Sequence, residues 1–189
     1  MSGSPRPSSA TAASAGLTEL RRPEPLDPKR HDRSTFDSGA AELDEWLRRH
    51  AGQNRRQDTA ATWVISDTDN VVVAYVSLAM TGIDRSAALA LRGQHAPDPV
   101  PALLIGRLAV DRSIAGSGVG TALVAHVLTT AVDLNQSAAC RGVVATAVDH
   151  QARTWWERLG FLPFDPKDPE NLDLYLLTAD IEATLRSLP

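Results

Sequence analysis

The chain has 189 residues, 43% of them hydrophobic and 22% charged, which is the size and composition of one globular domain with its own core. Its 19 Lys and Arg and 23 Asp and Glu give a formal net charge of −4, which argues against a protein that coats nucleic acid, because such proteins are strongly basic. The single cysteine, Cys140, excludes a disulfide framework and any multi-cysteine metal site.

Residues 1–28 are rich in Ser, Ala and Pro, and such a segment buries too little apolar surface to offset the entropy of ordering. We therefore predict a disordered N-terminal lead-in over residues 1–28 and one domain over residues 29–189. The first residues lack the apolar run of a secretory signal, and the longest apolar stretch, within residues 71–80, is about half a membrane span. Both observations predict a cytoplasmic protein.

The first predicted helix begins at Ser38, a typical N-cap residue, and ends near Gly52, with apolar side chains at helical spacing between them. A group of arginines follows in or after its last turns: Arg48, Arg49, Arg55 and Arg56. We interpret these cations as complementing the helix dipole. The alternative is a local nucleic-acid patch.

A β-hairpin is predicted next. Strands over residues 60–65 and 71–80 flank a turn rich in Asp and Asn. The segment 81–100 is predicted to be a loop that carries a short helix over residues 86–92. The apolar run at residues 103–110 is then typical of a buried strand.

A glycine-rich stretch over residues 111–120 leads into an apolar helix predicted over residues 121–134. The later predicted elements are a strand over residues 142–148, a helix over 149–159, strands over 161–164 and 172–177, and a helix over 178–187. Because a strand–helix–strand unit takes a right-handed crossover, the strands at 103–110 and 142–148 are predicted to be parallel. The expected class is α/β (α+β): a twisted, mixed, mostly antiparallel sheet with helices on both faces.

The sharpest local feature is the glycine loop of residues 115–121, which contains Gly116, Gly118 and Gly120. Glycines at alternate positions allow positive φ and close approach of a ligand, and the free N–H groups at a helix start favour an anion. The loop therefore predicts a phosphate or pyrophosphate site. It has neither the lysine of GxxxxGK[ST] nor the spacing of GxGxxG.

Two stretches resemble the GCN5-related N-acetyltransferases (GNAT): GRLAVDRSIAGSGVGTALV at residues 106–124 and DHQARTWWERLGF at residues 149–161. Other stretches resemble the toxin-type members found in toxin–antitoxin modules: FDSG, LDEWL, LIGRLAVD and FDPKDPENLDLYLL. The resemblance covers about residues 30–178. It implies the GNAT fold, with a central strand–glycine loop–helix–strand unit that binds acetyl-CoA.

The resemblance implies transfer of an acetyl group from acetyl-CoA to a primary amine, which in toxin-type members is the α-amino group of aminoacyl-tRNA. It implies a ribbon–helix–helix antitoxin as partner, leaves a homodimer open, and calls for no metal. The backbone of Leu108 would polarise the thioester carbonyl. The implied cofactor-binding residues are Leu108, Ala109, Val110, Arg112, Ala115, Gly116, Ser117, Gly118, Val119, Gly120, Thr121, Asp149 and Trp156.

Two positions depart from the family pattern. Ala115 stands where the family usually has Gln or Arg, so the loop keeps its amides and Arg112 is expected to supply the charge. Trp156 stands at the general-acid position, where a tyrosine protonates the departing CoA thiolate, and an indole N–H is not a usable acid. Three other side chains are candidate replacement donors: Tyr175, Ser113 and His150.

Two alternatives therefore stay open. One is an acetyltransferase of the same fold that acts on a small amine or a protein amine. The other is a CoA-binding, catalytically weak interaction protein, because Trp156 replaces the acid. The net charge of −4 also weighs against tRNA, since phosphate contacts dominate RNA affinity. The five histidines are scattered and predict no metal site.

Overall fold

The computed structural model describes residues 19–57, 59–84 and 97–187. The helix predicted over residues 86–92 lies outside the described residues. In chain order the elements are β1 (Glu24–Pro25), α1 (Ala41–Arg49), α2 (Ala51–Arg56), β2 (Ala61–Ser66), β3 (Val72–Ile83), β4 (Val100–Val110), a 3-10 turn (Arg112–Ile114), α3 (Val119–Ser137), β5 (Gly142–Thr146), α4 (His150–Arg158), β6 (Leu162–Pro163), β7 (Asp173–Leu177) and α5 (Thr178–Ser187).

The strands form one seven-stranded sheet in the order β1-β2-β3-β4-β5-β7-β6. Within it β4 and β5 are parallel, and every other neighbouring pair is antiparallel. The predicted mixed, mostly antiparallel sheet is therefore confirmed. So is the hairpin of β2 and β3, whose turn is held by the Asp67 carboxylate accepting the N–H groups of Asp69 and Val71.

Helices cover both faces of the sheet, as predicted. On one face, Trp46 and Leu47 of α1 pack with Phe36 and Tyr75. On the other face, α3, α4 and α5 pack on a second core cluster, in which Leu123 is fully buried and contributes about 1.5–3 kcal/mol. None of the described helices is long and apolar enough to cross a membrane.

Strand β4 carries a bulge at Gly106, because Ile105 pairs with Leu78 while Arg107 pairs with Ser77, the adjacent residue of β3. The extra residue changes which face each following side chain takes. Arg107 lies over Trp46 of α1, whereas Leu108 packs against the cluster under α3.

The two parallel strands separate beyond the bulge. Residues 103–105 of β4 pair with residues 143–145 of β5. Beyond them β5 ends at Thr146, while β4 continues to Val110. In the described chain, residues 106–110 therefore have no strand partner on the β5 side, and a gap opens between the C-terminal ends of the two strands.

The sequence prediction of disorder was wrong for residues 19–28. Leu20 bridges to Asp67, Glu24–Pro25 pairs with β2, and Leu26 is 1% exposed. Composition alone did not reveal that this segment contains one buried leucine and a two-residue edge strand. Proline is tolerated in an edge strand. Residues 1–18 lie outside the described residues, and the single domain over residues 29–189 stays a prediction.

The start of α1 also differs from the prediction. The N-cap is Ala40, which makes no side-chain cap, and Ser38 instead donates its hydroxyl to the buried Asp44 carboxylate at 2.6 Å. Serine hydroxyls readily take such local acceptors. The helix ends at Arg49, and α2 continues beyond the predicted end at Gly52.

The arginines near the end of α1 are engaged locally. Arg48 donates to the Phe36 carbonyl at 2.9 Å, and Arg49 pairs with Glu45 one turn earlier. These contacts favour our interpretation that both side chains serve the helix itself. They argue against a nucleic-acid patch at these two positions.

Candidate active site

A pocket of about 490 Å³ opens beside the C-terminal end of β4, within the size range of small-molecule sites. Its walls come from β4, the glycine loop, and the N-terminal ends of α3 and α4. The lining residues are Leu108, Val110, Ile114, Ala115, Gly116, Gly118, Val119, Gly120, Thr121, Asp149, Gln151, Ala152 and Trp155. A larger open cleft of about 720 Å³ lies beside β2 and β3, but it does not include the glycine loop.

The glycine loop presents unoccupied backbone donors to this pocket. Gly116 and Gly118 have φ of +78° and +89°, and a Cβ at either position would meet nothing within 4 Å. The N–H groups of Gly116 and of residues 118–121 donate to no acceptor in the described part of the chain. The first turn of α3 has no acidic residue, so the positive end of its dipole is not neutralised. This geometry suits an anion.

The N-terminus of α4 carries a capping carboxylate. Asp149 is the N-cap, and its carboxylate accepts the N–H of Ala152 at 2.7 Å. Asp149 thus places a negative charge on one wall of the pocket. An anion in the pocket therefore belongs on the α3 side, away from this carboxylate.

The third glycine of the loop serves close packing. A Cβ on Gly120 would lie 3.3 Å from Val110 Cγ2 and 3.4 Å from Trp155 Cζ2. Any larger residue would therefore push against both β4 and α4. Gly120 lets the start of α3 approach these two walls and fixes the width of the pocket.

Four of the predicted cofactor-binding residues lie outside the lining of the pocket. Ala109 packs on the α1 face, Ser117 is exposed in the loop, and Arg112 pairs with Asp37. Trp156 is 6% exposed and packs edge-to-face on Trp155 and Phe161 in the core. The other nine predicted residues line the pocket.

Three pocket residues on α4 were missed by the sequence reasoning: Gln151, Ala152 and Trp155. Gln151 and Trp155 are four apart and so share one face of α4. Adjacent helical residues point about 100° apart, and in α4 Trp155 lines the pocket while Trp156 packs in the core. The four-residue spacing of Gln151 and Trp155 was the signal available in the sequence. The N-cap at Asp149 fixes where α4 begins and so which residues lie near the pocket. Ile114, in the 3-10 turn, was also missed and had no such signal.

The base of the glycine loop is tied to the segment before α1. The Arg112 guanidinium binds the Asp37 carboxylate, and the backbone N–H of Arg112 donates to the Asp37 carbonyl at 2.9 Å. The N–H of Asp37 in turn donates to the Asp111 carboxylate at 2.9 Å. The Arg112 guanidinium holds the pKa of Asp37 below its usual value. Arg112 therefore positions the loop by pairing with Asp37, and its contact with an anion stays a prediction.

The candidate replacement acids are also outside the lining. Ser113 donates to the Asp111 carboxylate at 2.7 Å, and His150 lies 3.2 Å from Glu170. Tyr175 packs against Phe164 on the α1 side of the sheet. Burial raises the pKa of Tyr175, and its hydroxyl makes no hydrogen bond to a described residue. Among the described residues no cluster of three or more His, Cys, Asp or Glu could hold a metal ion.

The fold and this pocket define an acetyltransferase. The sequence matches the Acetyltransferase (GNAT) family over residues 18–161, and the chain belongs to that family. Its match covers most of the chain, including the whole of the glycine loop and α4.

The relatives of this chain include toxins. The chain is 32% identical over 154 residues to a tRNA-acetylating toxin of Mycobacterium tuberculosis, covering 82% of this chain and 90% of that one. It is similar to AtaT complexed with acetyl-methionyl-tRNAfMet, with a TM-score of 0.80, 26% identity and coverage of 88% and 99%. A mutant AtaT toxin bound to the C-terminus of the antitoxin AtaR and acetyl-CoA gives a TM-score of 0.74, 25% identity and coverage of 88% and 98%.

Proposed function

We propose that the protein transfers the acetyl group of acetyl-CoA to the α-amino group of aminoacyl-tRNA, as the toxin of a toxin–antitoxin module. The observation that carries the proposal is the set of free N–H groups at the start of α3, which open onto a pocket beside the gap between β4 and β5. The relatives named above support the acceptor, since one acetylates tRNA and another is in complex with acetylated aminoacyl-tRNA.

Different parts of the pocket suit different parts of a CoA molecule. The loop amides at residues 116–121 would hold the pyrophosphate, because they are donors without acceptors and lie at the positive end of α3. Residues 108–110 of β4 would pair with the pantetheine amides, since this edge has no strand partner. Trp155 and Val110 would form the apolar wall.

Bound acetyl-CoA would supply a thioester carbonyl within reach of an amine that enters the gap. The backbone N–H of Leu108 would donate to the developing oxyanion, and such a preorganised donor is worth about 10²–10³ in rate. The neutral amine would attack the thioester carbonyl carbon, the C–S bond would break, and CoA would leave as the thiolate while water takes the proton that the amine loses. Trp156 cannot protonate the leaving sulfur, and no side chain lining the pocket is placed to replace it. Since general acid catalysis contributes about 10²–10⁴-fold, turnover should be slow.

A second candidate function follows from Trp156. The protein would bind CoA and act through an interaction while catalysing little. The buried indole, 6% exposed and without an acidic proton, favours this reading. The two candidates share the cofactor site and differ in turnover.

The test is a turnover assay with purified protein, acetyl-CoA and separate acceptors: aminoacyl-tRNA, deacylated tRNA, a polyamine and a lysine peptide. We expect CoA release and N-acetylated aminoacyl-tRNA with the first acceptor alone, and growth arrest on expression. Tight acetyl-CoA binding with no turnover on any amine would establish the second candidate. Turnover on the polyamine or the peptide alone would reject tRNA as the acceptor.

The same proposal places the protein in the cytoplasm with an antitoxin as partner. It is supported by the similarity to the AtaT toxin bound to the C-terminus of AtaR. Co-purification with the product of a neighbouring gene would test the partner. A homodimer stays a prediction, which the mass of the purified protein in solution would test.

A further inference from the structure

Arg107 is a half-buried cation at the gap between β4 and β5. Its guanidinium carbon lies 4.7 Å from the centre of the Trp46 ring. No described carboxylate lies within ion-pair distance of it, and it donates no hydrogen bond to a described residue. A charge removed from water is usually paired, so an unpaired guanidinium at a functional gap points to a ligand.

The position of Arg107 is fixed by a stack of aromatic rings. Trp46 stacks on Tyr75 with ring centres 5.7 Å apart and planes 15° from parallel. The Tyr75 hydroxyl donates to the Leu43 carbonyl at 2.8 Å, which clamps α1 onto β3. A guanidinium that lies over an aromatic face keeps the N–H groups at its edge free for planar, bidentate bonds.

The bulge at Gly106 places Arg107 on the acceptor side of the sheet. Leu108 faces the cofactor pocket, and Arg107, the adjacent residue, faces α1. Both residues border the gap between β4 and β5. Since the cofactor pocket occupies the α3 side, an acceptor has to approach the thioester from the α1 side, past Arg107.

We propose that Arg107 binds a phosphodiester oxygen near the aminoacylated 3′ end of the acceptor RNA. The proposal rests on the proposed function and adds the residue that recognises the acceptor. Arginine binds phosphate through two parallel N–H bonds. Other arginines near this site are committed elsewhere, since Arg48 donates to a carbonyl and Arg112 pairs with Asp37. One well-placed cation also explains how a chain of net charge −4 can hold an RNA end.

The test compares the Arg107→Met variant with the wild-type protein on two acceptors. One is aminoacyl-tRNA, and the other is aminoacyl-adenosine, which has the same ester and amine but no phosphate. We expect kcat/KM for aminoacyl-tRNA to fall about 10- to 100-fold, because a charge-assisted bond is lost. The value for aminoacyl-adenosine and the affinity for acetyl-CoA should stay unchanged. The slope of log KM against log salt should decrease by about 0.7, as for one phosphate contact on a single strand.

Arg158→Met is the matched control. It removes the same charge from an exposed position at the end of α4, so acceptor kinetics should match the wild type. Arg107→Lys should recover part of the activity and all of the salt slope. The proposal is overturned if Arg107→Met leaves kcat/KM for aminoacyl-tRNA unchanged, lowers it with an unchanged salt slope, or lowers both acceptors equally. Failure of the wild-type protein to acetylate any aminoacyl-tRNA would instead reject the proposed function, and the role of Arg107 with it.

Discussion

The Arg112 guanidinium and the Asp37 carboxylate, 75 residues apart, form an ion pair at the base of the glycine loop. Because Asp111 and the backbone of Arg112 join the same network, the contact couples the segment before α1 to the strand that leads into the loop. Two residues that sequence reasoning treated separately thus hold one end of the cofactor site.

This ion pair should make stability depend on pH. Arg112 lowers the folded-state pKa of Asp37, so the pair stabilises the protein above the ordinary aspartate value of about 3.9 and the stabilisation is lost as pH falls through the lower folded value. We expect Asp37→Asn to lower Tm at pH 7 and to lower it less near pH 3, where the stabilisation begins to be lost. Thermal unfolding at both pH values measures this. Asp69→Asn, at an exposed turn position, should change neither; an equal loss at both pH values for Asp37→Asn would contradict the assignment.

Gly118 should be required for cofactor binding as well as for stability. Gly118 and Gly160 have φ of +89° and +93°, and a Cβ at either meets nothing within 4 Å. Alanine at either position should cost about 1–2 kcal/mol of stability through the left-handed conformation. Only Gly118→Ala should also raise the Kd for acetyl-CoA, by tenfold or more, because only Gly118 lines the pocket. Calorimetry on both variants tests this, and equal affinities would refute the loop assignment.

A phenol at position 156 should not accelerate turnover, because this side chain lies in the core. Trp156 stands at the family's acid position, but it is buried against Phe161 and lies outside the lining of the pocket. Trp156→Tyr and Trp156→Phe open nearly the same space and differ by one hydroxyl, so we expect equal kcat values for the two variants. CoA release under saturating acetyl-CoA measures both. A faster Trp156→Tyr variant, by the roughly 10²-fold or more of general acid catalysis, would contradict the placement of this side chain in the core and would show that the indole is an impaired acid.

The Tyr75 hydroxyl should contribute measurably to stability. It donates to the Leu43 carbonyl at 2.8 Å from a fully buried ring, and burial raises its pKa, so it stays protonated. Tyr75→Phe removes this hydrogen bond, while the Leu43 carbonyl keeps its bond within the helix, and should cost about 0.5–1.5 kcal/mol, measured by urea unfolding. Tyr175→Phe is the control, because the Tyr175 hydroxyl bonds to no described residue, and its change should be close to zero.

The sequence predicted much of the architecture because local signals and topology agree there. The glycine loop after a buried strand led to the parallel pairing of β4 and β5, and Thr178 correctly opened α5. Asp149 was predicted at the start of α4 and is its N-cap. These features depend on backbone chemistry close in sequence.

The features that were missed depend on contacts between distant segments. Ser38 does not cap α1 because the buried Asp44 competes for its hydroxyl. Trp155 faces the pocket and Trp156 the core because Gly120 approaches α4 at that point. Arg112 pairs with Asp37, which is also distant from it in the sequence. Hydrophobic pattern alone contains none of these pairings.

The bulge at Gly106 limits how the chain can change length. One unpaired residue determines which face of the sheet each of residues 107–110 takes. Inserting or deleting a single residue there would therefore turn Leu108 and Val110 away from the cofactor pocket and bring Arg107 into it. A two-residue change would keep the faces but shift the glycine loop along the sheet. Variation in length should therefore be tolerated in the turn between β2 and β3, and selected against between Ile105 and Asp111.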